Sequence, residues 1–308
     1  MTNAALLAPG SPPSSRGAAG RPITVGLLNN MPDAALRPTA RQFERLLSGR
    51  GGVRLRHFHL PGLARGEAAG GHLRAVGSAP ADMMADLDAL VVTGSEPRAG
   101  CLRDEPYWDD LTRAIDWAQA HTVSTLFSCL AAHAAVLHLD GIGRRRLPEK
   151  CSGVFDCRPT GAHPLLAGLP VPLAVPHSRC NGLDEAELAA RGYRVLTRSD
   201  AVGVDLFVKP GRSLLVFLQG HPEYDRDSLA REYRRDLGRH RDGLRPDRPA
   251  LPAQYFDAAT AARLRDDPGT GPLPDCPPPA DARWQAGAGR LFANWLALVE
   301  AGRRQGVL

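Results

Sequence analysis

Three residues of this chain have the types and the setting for nucleophilic acyl chemistry. Cys129 stands in "STLFSCLAAHAAVLHL" (124–139), where a strand-forming apolar run passes directly into an Ala-rich, helix-forming one. A strand–turn–helix of that kind exposes the side chain at the turn and aims the first free helix amides at it. Those amides and the positive helix end favour an anion, so a cysteine there can serve as nucleophile and the amides as an oxyanion hole. The plainer reading is a small buried hydrophobe, the usual fate of a lone cysteine, and no glycine flanks Cys129. "QGHPEYD" (219–225) adds a partner, because His221 follows an apolar run and Gly220, and Glu223 stands two residues on. An imidazole oriented by a carboxylate is what a cysteine or serine nucleophile needs. His177, in "VPHSR", is the competing base, with Ser178 and Arg179 beside it as polar groups able to bind a substrate.

The elements that would position these residues alternate. "ITVGLLN" (23–29), "VRLRHFHL" (53–60), "LDALVVTG" (87–94) and "STLFSC" (124–129) read as strands; "ARQFERLLSG" (40–49), "YWDDLTRAIDWAQAH" (107–121) and the run after Cys129 read as helices. That rhythm predicts an α/β fold of flavodoxin-like or Rossmann-like type, a mostly parallel sheet with helices on both faces and its site at the strand C-terminal ends. The second half reads as shorter strands joined by turns, with "KPGRS" (209–213) as a hairpin turn. Two amphipathic helices follow, over 227–243 and 288–305. Residues 1–20, rich in Gly, Pro, Ser and Ala, are expected to be a disordered leader, and 21–308 a single domain with a Pro-rich loop at 268–280.

Composition narrows the function further. A chain of 308 residues buries a core without staples, and its six scattered cysteines show neither a disulfide framework nor zinc-finger spacing. Cys151, Cys157 and His163 fit no tetrahedral motif and lack a fourth ligand, so no metal is expected. The opening residues lack the basic start and apolar block of a secretory signal, and no apolar run is long enough to span a bilayer. A soluble, cytoplasmic protein without a membrane partner is the expectation. The net charge of +5 comes from arginines dispersed among acids with few aromatics nearby, which argues against nucleic acid. Lysine occurs only at Lys150 and Lys209 in an arginine-rich chain, so each is a candidate for a place that wants a compact ammonium.

Several ordered motifs together resemble the homoserine O-acyltransferase family, which includes the homoserine O-succinyltransferases and makes O-acylhomoserine for methionine biosynthesis. They are "LLNNMP" (27–32), "VVTGSEP" (91–97), "HTVSTLFSC" (121–129), "PEKCSGVF" (148–155), "PHSR" (176–179), "GHPEYDRDSLAREYRRD" (220–236) and "LFANWL" (291–296). The resemblance implies a fold like that of class I glutamine amidotransferases. It implies acyl transfer from an acyl-CoA to the hydroxyl of L-homoserine through a cysteine acyl-enzyme, with acyl-CoA as co-substrate, no other cofactor, and a homodimer. It makes Cys129 the nucleophile, His221 the base and Glu223 its orienting carboxylate. Arg235 would hold the homoserine carboxylate, with Lys150 and Ser178 at the amino-acid site.

Departures mark a divergent branch. "NNMPDAAL" stands where many members have "NLMPKK", Leu130 follows the nucleophile where Trp is common, and His133 replaces a common Gln. A backbone amide survives any side-chain change, so Leu130 N–H remains the expected oxyanion donor. Arg98 aligns with a position where Gly accompanies succinyl and Glu accompanies acetyl. An arginine there repels no carboxylate and can fork onto one, which favours succinyl-CoA and leaves acetyl-CoA as the alternative. The rival functions are a glutaminase or amidotransferase, using the same three residue types, and a non-catalytic paralogue that binds an acyl-CoA or an amino acid.

Overall fold

The computed structural model describes residues 21–49 and 52–306; the expected leader at 1–20 lies outside them. In chain order, the first half comprises β1 (Ile23–Leu28), α1 (Asp33–Ser48), β2 (Val53–His59), α2 (Glu67–Ala75), β3 (Ala79–Pro80), β4 (Ala89–Val92), α3 (Trp108–His121), β5 (Ser124–Ser128) and α4 (Leu130–Asp140). The second comprises β6 (Arg145–Pro159), β7 (Leu173–Gly182), α5 (Glu185–Ala190), β8 (Arg194–Val195), β9 (Thr197–Ser199), β10 (Gly203–Val204), β11 (Leu206–Lys209), β12 (Leu214–Leu218), α6 (Ser228–Arg241), α7 (Ala258–Arg265) and α8 (Gln285–Arg304).

Eight strands form the main sheet in the order β3-β2-β1-β4-β5-β12-β11-β8. Its pairs are parallel from β3 to β12, and β11 alone runs against the other strands, pairing antiparallel with β12 on one side and β8 on the other, with β11 and β12 joined by the expected hairpin. Alternate side chains along the strands go to opposite faces. Val25, Leu27, Val91, Leu126 and Val216 pack with Phe43 of α1 and Phe292, Trp295 and Leu296 of α8. Leu28, Leu90, Val92, Phe127 and Phe217 pack on the other side with Leu111 and Ile115 of α3 and Ala131, Ala132 and Ala135 of α4. The parallel sheet covered on both faces is therefore present as the sequence predicts, and both cores are continuous through it.

A second sheet, β10-β9-β6-β7, corrects the expectation of short strands, since β6 has 15 residues and β7 has 10. The charged "RRRLPEK" at the start of β6 hides its length, because a strand exposed along much of one edge shows no apolar alternation. Against this sheet, α6, α7 and Trp284 build a smaller core around Tyr224, Leu229, Tyr233 and Tyr255. Residues 266–284, which include the Pro-rich stretch, carry no helix or strand.

Candidate active site

The site forms where β1, β4, β5 and β12 end, the expected crevice of an open parallel sheet. Ser128 of β5 pairs in register with Leu218 of β12, and Cys129 N–H donates to Leu218 O at 2.7 Å. That pairing fixes the two chain exits side by side, Cys129 leaving one strand and Gln219–His221 the other. Cys129 has φ 52° and ψ −111°, a left-handed conformation that costs an L-residue about 1–3 kcal/mol. The turn is the strained elbow anticipated from sequence, formed without a flanking glycine because Ala131 and Ala132 pack flat against the sheet. Cys129 is partly exposed, whereas both strand neighbours Phe127 and Ser128 are buried.

Cys129 caps α4, and its carbonyl accepts from Ala132 and His133 N–H at 3.0 and 3.3 Å. The amides of Leu130 and Ala131 precede the first intrahelical bonds and are the free donors of the helix terminus. Opposite them, two residues past the end of β4, lies Gly94, where an added Cβ would be 3.1 Å from Leu130 N and 3.3 Å from Ser128 O. Glycine thus keeps space in front of the Leu130 amide. If Cys129 is the acylated nucleophile that the resemblance implies, Gly94→Ala should lower the rate of its acylation by about 10²-fold, comparable to losing one oxyanion donor. Stopped-flow release of CoA thiol would measure it, and an unchanged rate would mean that no reacting oxygen sits at that amide.

His221 and Glu223 converge on the cysteine. His221 Nδ1–H donates to Glu223 Oε1 at 2.8 Å, leaving Nε2 for the Cys129 sulfur, with which it also hydrogen-bonds. The His221 backbone N–H is tied to Pro176 O of β7 at 2.7 Å, and its ring stacks on Tyr224 with centroids 4.3 Å apart. Burial works against a charged imidazole here, but the Cys129 sulfur and the Glu223 carboxylate outweigh it, and the His221 pKa is raised well above its ordinary value. Glu223 is 3 % exposed and receives a further, long hydrogen bond of 3.4 Å from Ser128 Oγ. The arrangement can support a thiolate–imidazolium pair beside two free amides.

The competing base lies elsewhere. His177 is fully buried behind β12, its Nε2 3.4 Å from Asp205 Oδ1 and its Nδ1 accepting from Arg179 Nε at 3.3 Å. Burial is the main influence lowering its pKa. Gly220 runs past this pair so closely that a Cβ would meet Val175 Cγ1 at 2.4 Å and His177 Nε2 at 2.9 Å. The pair thus supports the backbone that delivers His221. Cys157 completes a buried trio with His177 and Asp205 whose donor atoms lie within 4.8 Å of one another. It is not the Cys151, Cys157 and His163 set, because His163 Nδ1 instead accepts from Leu165 N–H at 3.2 Å. The trio suits a metal poorly: burial and Asp205 hold the Cys157 thiol protonated far above its usual range, and a guanidinium lies against His177.

Lys150 of β6, Ser178 of β7 and Arg235 of α6 arrive together beside Tyr224. Lys150 Nζ lies 2.7 Å from Asp236 Oδ2, and Arg235 holds Asp236 Oδ1 through Nε at 3.0 Å and Nη2 at 2.9 Å. Ser178 Oγ hydrogen-bonds Glu232, which also accepts from Tyr224 Oη at 2.5 Å. Sequence reasoning missed Tyr224, Glu232 and Asp236. A signal existed, since Glu232 and Asp236 are like charges one helical turn apart and need a cation between them. The second lysine, Lys209, pairs with Asp140 at 2.5 Å and lies over the Tyr193 ring, away from this cluster.

Arg98 is exposed on the loop after Gly94, where its backbone N–H donates to Glu105 Oε1 at 2.7 Å. Its charge reaches Tyr107, which shares a small cavity with Asn30, Gly94, Ser95 and Leu130. Burial first, then the Glu105 carboxylate, push the Tyr107 phenol up to about 12. His133 is a satisfied core histidine that meets Gln219 Oε1 at 2.9 Å, its pKa brought down by burial to about 4.

A family profile described as homoserine O-succinyltransferase matches residues 11–302. A homoserine O-succinyltransferase of Methylorubrum extorquens is 54 % identical over 91 % of this chain and 88 % of its own length. Those of Rhodopseudomonas palustris and Bradyrhizobium japonicum are 56 % and 47 % identical, covering 79 % and 91 % of this chain and 74 % and 91 % of their own. Among solved structures, a putative GMP synthase subunit of Thermoplasma acidophilum superposes with a TM-score of 0.54 at 15 % identity, covering 92 % of this chain and 97 % of its own. A glutamine amidotransferase of Thermotoga maritima gives 0.51 at 15 % identity, covering 90 % and 98 %. These two likenesses bear on the fold alone, which is that of the class I glutamine amidotransferases. No helix among the described residues is long and apolar enough to cross a membrane.

Proposed function

The chain belongs to the homoserine O-succinyltransferase family, a family of acyltransferases, and from that premise we propose that it transfers the succinyl group of succinyl-CoA to the hydroxyl of L-homoserine through an acyl-enzyme on Cys129. The observation that carries the acyl-enzyme is the partly exposed Cys129, in a left-handed elbow, against a His221 whose pKa it raises. In the first half-reaction the Cys129 thiolate attacks the thioester carbonyl, and the Leu130 N–H steadies the oxyanion. Collapse breaks the carbon–sulfur bond to CoA, and the His221 imidazolium gives its Nε2 proton to the departing thiolate. That leaves a neutral imidazole. In the second half-reaction this imidazole takes the hydroxyl proton of homoserine as the oxygen attacks the acyl-cysteine, and Cys129 leaves as thiolate beside a restored imidazolium. Glu223 keeps Nδ1 as the donor side throughout.

The direct test is intact-protein mass after mixing with succinyl-CoA alone. One succinyl mass should appear with release of CoA thiol, and it should disappear on adding homoserine as the acylated homoserine forms, with no CoA released in that second step. Glutamine hydrolysis without CoA-dependent labelling would support the amidotransferase rival instead, and a stable label that homoserine never discharges would support a non-catalytic binder.

Donor choice is assigned to Arg98, in keeping with its place on the loop next to the Tyr107 and Leu130 cavity. An exposed guanidinium can swing onto the terminal carboxylate of a succinyl group, a contact worth about 1.5–3 kcal/mol when partly desolvated. Wild type should favour succinyl-CoA over acetyl-CoA in kcat/KM. Arg98→Glu should lower that ratio by about 10²-fold, because repulsion replaces attraction. A preference for acetyl-CoA that is indifferent to the substitution would remove Arg98 from donor selection.

A further inference from the structure

Glu105 is a buried carboxylate that the mechanism leaves without a role. It is 3 % exposed, and no cation among the described residues lies within ion-pair distance of it; what it holds is backbone. Its Oε1 accepts two consecutive amides, Arg98 N–H at 2.7 Å and Ala99 N–H at 2.9 Å. Its Oε2 is buried and has no partner. Leaving one oxygen of a buried carboxylate unpaired costs stability, which marks Glu105 as more than packing. The residue is itself fixed, because its N–H donates to Leu102 O at 3.2 Å and its carbonyl accepts the Trp108 N–H that opens α3 at 2.9 Å. The loop it grips is pinned on either side as well: Arg239 of α6 takes Glu96 at 2.7 Å, and Arg144 Nη2 donates to Gly100 O at 3.3 Å. Between those pins the Arg98 side chain is loose, its guanidinium exposed and without a hydrogen bond or ion pair among the described residues. Behind the loop, the cavity lined by Gly94, Ser95, Tyr107 and Leu130 has a volume of about 10 Å³, room for one water-sized group. A succinyl chain therefore has to run along the outer side of the loop, where Arg98 stands.

We propose that Glu105 is a positioning residue for donor selection: by holding the Arg98 and Ala99 amides it fixes where the Arg98 side chain leaves the loop, and so places the guanidinium for the terminal carboxylate of the succinyl group. This rests on the assignment of donor choice to Arg98 above. A long side chain loses rotamer freedom when it binds, and a backbone already set in the binding direction keeps that loss from growing. The grip needs an acceptor atom at the right reach rather than a charge.

Two conservative variants separate reach from charge. Glu105→Gln keeps the length and one acceptor oxygen but loses the charge, whereas Glu105→Asp keeps the charge and, one methylene shorter, withdraws the oxygen from the two amides. Glu105→Asp should lower the ratio of kcat/KM for succinyl-CoA over acetyl-CoA by about 10-fold, through a higher KM for succinyl-CoA with acetyl-CoA little changed. Glu105→Gln should keep that ratio within about 2-fold of wild type. In an Arg98→Glu background, Glu105→Asp should leave the ratio where Arg98→Glu alone puts it, because a guanidinium that is gone cannot be misplaced. An unchanged ratio in Glu105→Asp, equal losses on both donors, or a further fall in the double variant would overturn the assignment and make Glu105 a support for the loop alone. A loss in Glu105→Gln as large as that in Glu105→Asp would overturn it too, in favour of the buried charge. The donor reading fails separately, by an Arg98→Glu ratio equal to that of wild type, and the assignment of Glu105 falls with it.

Discussion

Cys129→Ser should lose turnover by about 10⁴-fold or more while folding normally and still binding succinyl-CoA. Serine preserves the size of the side chain and the left-handed turn, so the elbow, the Leu218 hydrogen bond and the α4 cap all persist. What it removes is the sulfur that sits opposite His221 and contributes to raising its pKa. An alkoxide is far harder to form than a thiolate, and without the sulfur the imidazole keeps only the Glu223 carboxylate as its partner, so the variant lacks the nucleophile that acyl transfer needs. The succinyl mass seen on wild type should be absent from Cys129→Ser over the same time course. Near-wild-type turnover would place the nucleophile elsewhere, and three of the other five cysteines are poor substitutes because burial raises the thiol pKa of Cys151, Cys157 and Cys276. A circular-dichroism melt unchanged from wild type would show that the loss is chemical.

How much of this was legible in the sequence depends on whether a feature is local. The elbow at Cys129 and the two-residue step from His221 to Glu223 are written within a few positions, and both appear in the structure at the C-terminal ends of adjacent central strands. The sheet was legible because β1, β4, β5 and β12 are apolar on both faces and bounded by turns. Helix α1 begins at Asp33, seven residues before the expected start, because Pro38, which lies inside it past the first turn, reads as a breaker. Helix α2 went unread because two adjacent glycines, Gly70 and Gly71, depress its propensity. The acceptor cluster was the least legible. Lys150, Ser178, Tyr224 and Glu232 come from two strands of the second sheet, a turn and a helix, and no spacing in the chain records that they meet. Composition marked Lys150 and the setting of His177 marked Ser178, but only the resemblance added Arg235 and put the three at one site, and only the structure adds the carboxylates they answer.

His221→Asn should cost about 10³–10⁴-fold in turnover, since in the proposed mechanism it removes both the proton donor to CoA and the base for homoserine. The more searching variant is Glu223→Gln, because it keeps the imidazole and alters its proton affinity in a known direction. In the folded enzyme His221 holds its proton to unusually high pH, against its burial, through the Cys129 sulfur and the Glu223 carboxylate. Acylation uses the protonated form, so its rate should fall on the alkaline side as that proton is lost. Replacing the carboxylate by an amide removes one of the two charges that raise the pKa. The alkaline limb of acylation should therefore move to lower pH. Acylation itself neutralises the sulfur, the other charge, and so frees the imidazole to act as base in the second half-reaction. Discharge by homoserine needs the neutral form, and its acid limb should move to lower pH in the same variant. Single-turnover rates measured separately for the two half-reactions across pH would test both shifts. A Glu223→Gln enzyme that is merely slower, with neither limb displaced, would mean that Glu223 orients the ring at Nδ1 without tuning its charge.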